Sequence, residues 1–206
     1  MNIGAGGRLT VVLFHSMFGL RPVELSAAER LRAAGHHVVT PDLFAGEVAG
    51  DVPALEDGFA LMERIGWETI TARARAAVRD LPPSAVLGGF SMGVGVVGTL
   101  WPDRPTAAGA FLLHATTSVP PGIPAGTPVE AHVADGDRFA PPDQMAALRA
   151  SAEHAGAELS VHTYPGAGHF YTDPSLPDHD PVAADRTWRH VDGLLEKARR
   201  RVSDLA

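Results

Sequence analysis

The sequence predicts an α/β fold: about six mostly parallel strands with helices on both faces, one domain over residues 1–206, and no separate cap. Three observations carry that prediction. Short, nearly continuous apolar runs recur along the chain, as strands buried on both faces require. Stretches of helical period alternate with them. Gly, Pro, Ser and Asp punctuate the joins.

The apolar runs place strands at 9–15, 37–40, 85–89, 108–114, 129–134 and 159–164. Between the first two, Ser26 and Glu29 fit a capping box, and Gly35 is set to end a helix in a left-handed turn. Trp67, Ile70, Ala74, Ala77 and Val78 fall at helical spacing before Pro82-Pro83. Pro141-Pro142 opens a further helix that closes near Gly156. A last helix carries Trp188, Val191, Leu195, Ala198 and Val202 on one face. Trp67 and Trp188 read as core anchors. The connection 41–64 is longer and less regular than the others, which marks it as a pocket wall.

Composition narrows the functional classes. The chain has 206 residues, 45% hydrophobic and 20% charged, as expected of a globular domain with a sizeable core. A net charge of -7 argues against a nucleic-acid partner, since little here would neutralise a phosphate backbone. The basic cluster Lys197, Arg199, Arg200 and Arg201 closes a helix, where it complements the dipole. There is no cysteine, so disulfides, thiolate metal sites and a cysteine nucleophile are excluded. No run approaches the roughly 18 apolar residues of a membrane span, and the first apolar run leads into a polar turn rather than a cleavage site. The expectation is a cytoplasmic monomer or homodimer that engages neither nucleic acid nor membrane.

The chemistry is concentrated in three loops. Gly89-Phe90-Ser91-Met92-Gly93 lies between an apolar strand and a helical stretch, the context of a nucleophile elbow. Small flanking residues let strand and helix approach, so that the serine projects from the C-terminal edge of the sheet. A serine hydroxyl needs a base. His169, in Pro165-Gly166-Ala167-Gly168-His169-Phe170, follows the last strand and is the candidate among ten histidines. His36, His37, His132 and His162 read as structural or surface groups, and His154 and His190 as helix-surface residues. An orienting carboxylate is also needed. Asp135 and Asp137 both follow the fifth strand, and spacing does not separate them.

The order serine, aspartate, histidine is that of α/β-hydrolases. Stabilisation of an oxyanion falls to the Met92 amide and to one in the loop His15-Ser16-Met17-Phe18-Gly19-Leu20, for which Met17 is the candidate. His15 either reaches the pocket or satisfies local backbone groups. Ser16, Phe18, Phe44, Phe90, His114 and Tyr171 are the candidate pocket residues.

On these residues the chain resembles the dienelactone hydrolase family of α/β-hydrolases. The resemblance spans most of the chain. It rests on Phe18-Gly19-Leu20, Pro41-Asp42-Leu43-Phe44, the elbow, Asp137-Arg138-Phe139-Ala140-Pro141, Gly166-Ala167-Gly168-His169-Phe170 and the run 172–178. It implies Asp137 rather than Asp135 as the acid. Founding members use a cysteine where Ser91 stands and a glutamate where Ser16 stands, and they bind a substrate carboxylate with two arginines. Gly46 and Asp173 occupy those two positions here, and Arg21 and Arg138, the possible substitutes, do not match the family's pattern, so an anionic dienelactone does not fit. The chain begins at what would be the family's third strand, so its N-terminal antiparallel hairpin is not expected. The expected reaction is hydrolysis of a small neutral ester or lactone through an acyl-serine, with no metal or cofactor. A ligand-binding or signalling protein on the same fold, and a thioesterase or acyltransferase, are the rival readings.

Overall fold

Six strands form one sheet in the order β2-β1-β3-β4-β5-β6, with every neighbouring pair parallel. They are β1 Thr10–Phe14, β2 His37–Val39, β3 Val86–Phe90, β4 Ala110–Leu113, β5 Pro128–Ala134 and β6 Glu158–Tyr164. Each lies within two residues of its expected run. The computed structural model describes residues 7–204; positions 1–6 and 205–206 of the expected domain lie outside the described residues.

Side-chain alternation divides the sheet between two helical layers. Val11, Leu13, Val86 and Phe111 pack with α1 (Pro22–Ala33) and α6 (Pro181–Asp204). Val12, Phe14, Leu87 and Leu112 pack with α2 (Leu55–Ile65), α3 (Trp67–Val78), α4 (Met92–Leu100) and α5 (Pro142–Ala155). Burial on both faces is why the four inner strands, β1, β3, β4 and β5, read as nearly continuous apolar runs, while the edge strands β2 and β6 are only partly buried. Each large side chain so buried contributes about 1.5–3 kcal/mol. Gly88 makes room for the Phe111 ring on the neighbouring strand: a Cβ there would come within 2.2 Å of it.

Punctuation was legible at most helix ends. Gly35 (φ 94°) and Gly156 (φ 67°) follow α1 and α5 in left-handed conformations. Pro142 opens α5. The capping box expected at Ser26 and Glu29 does not form. Helix α1 begins five residues earlier, with Arg21 as its N-cap and Pro22, which has no N–H to leave unpaired, as its first residue. The Glu24 carboxylate takes over the capping by accepting from the Arg21 amide at 3.0 Å.

The connection 41–64 contains most of α2. The chain leaves β1 toward β2 on one side and returns to β3 on the other, so the loops after β1 and β3 diverge. That divergence opens a crevice at the C-terminal ends of the two strands, where ligands bind in sheets of this type. The basic cluster on α6 is locally satisfied: Lys197 pairs with Glu158, Arg199 with Glu196, and Arg201 donates to the Ala125 carbonyl. Among the described residues, no helix is long and apolar enough to cross a membrane.

Candidate active site

β3 passes directly into Ser91, which holds φ 48° and ψ -106° at the start of α4. A serine there is strained, at a cost on the order of 1–3 kcal/mol. Close packing around the turn enforces it. A Cβ on Gly89 would lie 2.4 Å from the Gly93 carbonyl carbon, and one on Gly93 would lie 2.4 Å from the Phe14 carbonyl oxygen. Both obstacles are backbone and cannot swing away. Gly93→Ala is therefore expected to destabilise the protein by about 3 kcal/mol, read as a lower denaturation midpoint at unchanged m-value. A variant as stable as the parent would mean that the elbow is loosely packed.

The strained turn aims the hydroxyl at His169. Ser91 Oγ lies 2.9 Å from His169 Nε2, and His169 Nδ1 lies 2.5 Å from Asp137 Oδ2. A carboxylate only accepts, so Nδ1 carries the ring proton and Nε2 is left to accept from the serine. Asp137 Oδ1 accepts from the Phe139 amide at 2.9 Å, which fixes the carboxylate plane. Asp135 lies elsewhere. It is exposed, and its amide donates to the Tyr164 carbonyl at the end of β6. The turn at Gly136 (φ 72°) separates the two acids.

Met17 and Met92 border the same pocket as Ser91, and among the described residues neither amide has an acceptor within the chain. Amides left without an acceptor beside a serine are the kind of donor that a developing oxyanion requires. The loop bearing Met17 is tightly held. His15 donates from Nδ1 to the Ser16 carbonyl at 2.7 Å and accepts at Nε2 from the Leu43 amide at 3.0 Å. Burial lowers its pKa, so the ring is a neutral strut between two loops rather than a pocket group.

Buried Glu24 accepts from the Ser16 amide at 3.1 Å as well as from Arg21. Burial lifts its carboxyl from 4.5 to about 7, the amide hydrogen bonds offsetting only part of that. The folded protein thus holds this proton more tightly than the unfolded chain does. Stability from Glu24 is fully present below about pH 4.5 and is lost as pH rises toward about 7, on the order of 3 kcal/mol in all. Glu24→Gln, whose side chain gives up one acceptor oxygen, is expected to be less stable at about pH 5 and to show a flatter decline toward pH 7. Urea denaturation at the two pH values checks this, and an unchanged slope would locate the pH sensitivity elsewhere.

The pocket beside Ser91 has a volume of about 330 Å³. Phe59, Met62, Trp67, Met92 and Phe139 form its apolar wall, with Thr116 and Gln144 as polar points. The 41–64 connection supplies Phe59 and Met62. Trp67, expected in the core, is 42% exposed here, and Trp188 is only partly buried; Trp101 is the fully buried tryptophan. A smaller pocket of about 130 Å³ lies on the His169 side, lined by Phe18, Leu55, Phe170 and Leu176 among others. A separate cleft of about 500 Å³ lies between α1, the 48–51 segment and the 172–175 loop, and touches neither Ser91 nor His169.

Of the expected pocket residues, Phe18 alone lines space beside the candidate triad. Phe44 is fully buried in the α2–α5 layer against His15. Phe90 immediately precedes Ser91, so alternation turns its side chain to the α6 face. Tyr171 is buried and hydrogen-bonded to Thr187 at 2.7 Å. Ser16 is buried in the turn, with its hydroxyl near the Phe18 amide. His114 (φ 70°) is buried under His169, ring centroids 5.8 Å apart, and bonded to Thr172 at 2.7 Å. Burial, reinforced by His169 and His132, keeps its pKa well below the ordinary value, so it supports His169 as a neutral ring.

Neither arginine offers a carboxylate clamp in this pocket. Arg21 is buried and pairs with Asp173 at 2.8 Å, Ser175 at 2.7 Å and the Asp51 carbonyl at 2.8 Å. Arg138 is exposed and lies over the Phe139 ring, outside the pocket lining.

A parallel α/β sheet with a strained serine at the strand–helix turn after β3, and a histidine and an aspartate from later loops, defines the α/β-hydrolase class. The chain belongs to the dienelactone hydrolase family, whose model matches residues 5–198. A search of curated proteins finds no match. Among solved structures, it is similar to a dienelactone hydrolase-like promiscuous phosphotriesterase from metagenomic libraries, with 20% identity, a TM-score of 0.74, and 95% of this chain and 88% of that one covered. It is also similar to an α/β-hydrolase enzyme from a Medee basin deep-sea metagenome, with 14% identity, a TM-score of 0.66, and coverage of 93% and 86%. For a phospholipase/carboxylesterase from Dyadobacter fermentans the values are 14%, 0.57, 88% and 90%. At these identities the likeness shows the shared fold.

Proposed function

We propose that the protein is a serine hydrolase for small neutral esters or lactones, working through an acyl-serine. The observation that carries this is the continuous line from Ser91 Oγ through His169 to Asp137, at 2.9 and 2.5 Å, opening on a pocket with two free amides. His169 Nε2 takes the serine proton as Oγ attacks the carbonyl carbon. The Met17 and Met92 amides receive the developing oxyanion. The carbonyl re-forms, the alcohol departs with the proton held by His169, and water, activated by the same nitrogen, releases the acid.

The two pockets divide the substrate. The leaving group must lie on the side of the histidine that protonates it, beside the pocket of about 130 Å³. The acyl chain then occupies the apolar pocket of about 330 Å³, whose lining holds no cationic side chain. That supports a neutral acyl group larger than its alcohol.

Steady-state turnover of p-nitrophenyl and short alkyl esters tests the reading. Butyrate and hexanoate esters of small alcohols are expected to exceed both acetate and anionic succinate half-esters in kcat/KM. No release above background by folded protein would overturn it.

A further inference from the structure

β5 and β6 carry an arrangement that the proposed reaction does not use. His132 and His162 are direct partners across the parallel pair, so their rings stack, with centroids 4.8 Å apart and planes at 16°. Glu130, two residues before His132, shares its face of the sheet. His132 Nε2 and Glu130 Oε2 are 3.3 Å apart, and His162 Nε2 and Glu130 Oε2 are 4.0 Å apart. All three ligand atoms lie within 4.8 Å of one another. Ligands bonded at about 2.0–2.1 Å around a tetrahedral ion are separated by about 3.3 Å, so one of the three edges is already formed, and the other two, at 4.0 Å and within 4.8 Å, close by side-chain rotation.

We propose that Glu130, His132 and His162 form a binding site for a divalent transition-metal cation such as Zn2+, which ties the edge strand β6 to β5 under α6.

Three features favour a cation here. Glu130 is buried without a full counterion: Lys197 is engaged with Glu158, and Arg186 lies over the Tyr164 ring. His162 Nε2 is buried and has no hydrogen-bond partner, although the side chain is 22% exposed and leaves solvent a way in. His132 Nδ1 lies 3.0 Å from the Tyr164 hydroxyl, a partner of the kind that orients metal-bound histidines. On binding, the single His132 ring proton shifts to Nδ1 and is donated to the Tyr164 oxygen, freeing the Nε2 lone pair. Any proton on Glu130 passes to solvent. His190, expected on the helix surface, instead stacks on His162 with centroids 3.7 Å apart and shields the outer side. Two imidazoles and one carboxylate suit zinc-like ions, with water as the remaining ligand.

Calorimetric titration of chelator-treated, tag-free protein with zinc sulfate tests the site, alongside melting curves with and without zinc. The wild type is expected to bind one cation per chain and to melt higher with zinc. His162→Gln, at a partly exposed position, should bind at least about 100-fold more weakly and lose the zinc-dependent shift; Glu130→Gln should behave alike. Tyr164→Phe should weaken binding by about 10- to 100-fold. Exposed His37→Gln should change nothing. No saturable binding by wild type would overturn the proposal, as would undiminished binding by folded His162→Gln and Glu130→Gln, which would put the cation at His169 or the surface.

Discussion

Ser91→Ala is expected to lower kcat for ester hydrolysis by at least about 10⁴-fold while leaving the fold and the melting temperature nearly unchanged. The Ser91 hydroxyl hydrogen-bonds to His169, so its loss removes the proposed nucleophile and little else. Alanine keeps the strained φ, so the elbow's energy is not released. His169→Ala should fall by a similar factor. The double variant should be hardly worse than either single one, because nucleophile and base act as a unit. A fluorophosphonate should add once to the wild type, at Ser91, and not to Ser91→Ala. Retention of activity within tenfold by Ser91→Ala would remove the acyl-serine route. The free Met17 and Met92 amides would then have to serve a different attacking group.

The features legible in the sequence are those set by short-range sterics. The elbow shows because a strained serine between close-packed backbones needs glycines at 89 and 93, and the penalty for a side chain there is visible in the contacts. The inner strands show because both faces of the sheet are buried there. The helix start at Pro22 was missed because the capping carboxylate sits two residues beyond a proline rather than three beyond a serine. The pocket was largely illegible. Phe90 and Phe44 adjoin the right motifs, but strand alternation and loop packing turn them into the core. The apolar wall comes instead from Phe59, Met62 and Trp67, brought to Ser91 by tertiary packing that no local pattern encodes. The histidine cluster was hidden for the same reason. Only the register that pairs His132 with His162 reveals that residues 30 apart in sequence share a site.

Asp137→Asn and Asp135→Asn are expected to separate sharply, although spacing treats the two acids alike. In the first variant the side chain has one acceptor oxygen instead of two. The Phe139 amide, 2.9 Å from Oδ1, claims it, so the new NH2 group points at His169 Nδ1. That group can only donate, which forces the ring proton onto Nε2, the nitrogen that must accept from Ser91. The catalytic tautomer is lost with the geometry intact, and kcat should fall by about 10⁴-fold with KM little changed. Asp135 is exposed and its side chain bonds to no group of the site, so its asparagine variant should remain within about threefold of the parent. Paired kcat and KM measurements on one neutral ester decide the matter. Should Asp135→Asn take the larger loss, the acid is Asp135, and the role of Asp137 shrinks to holding the Phe139 turn.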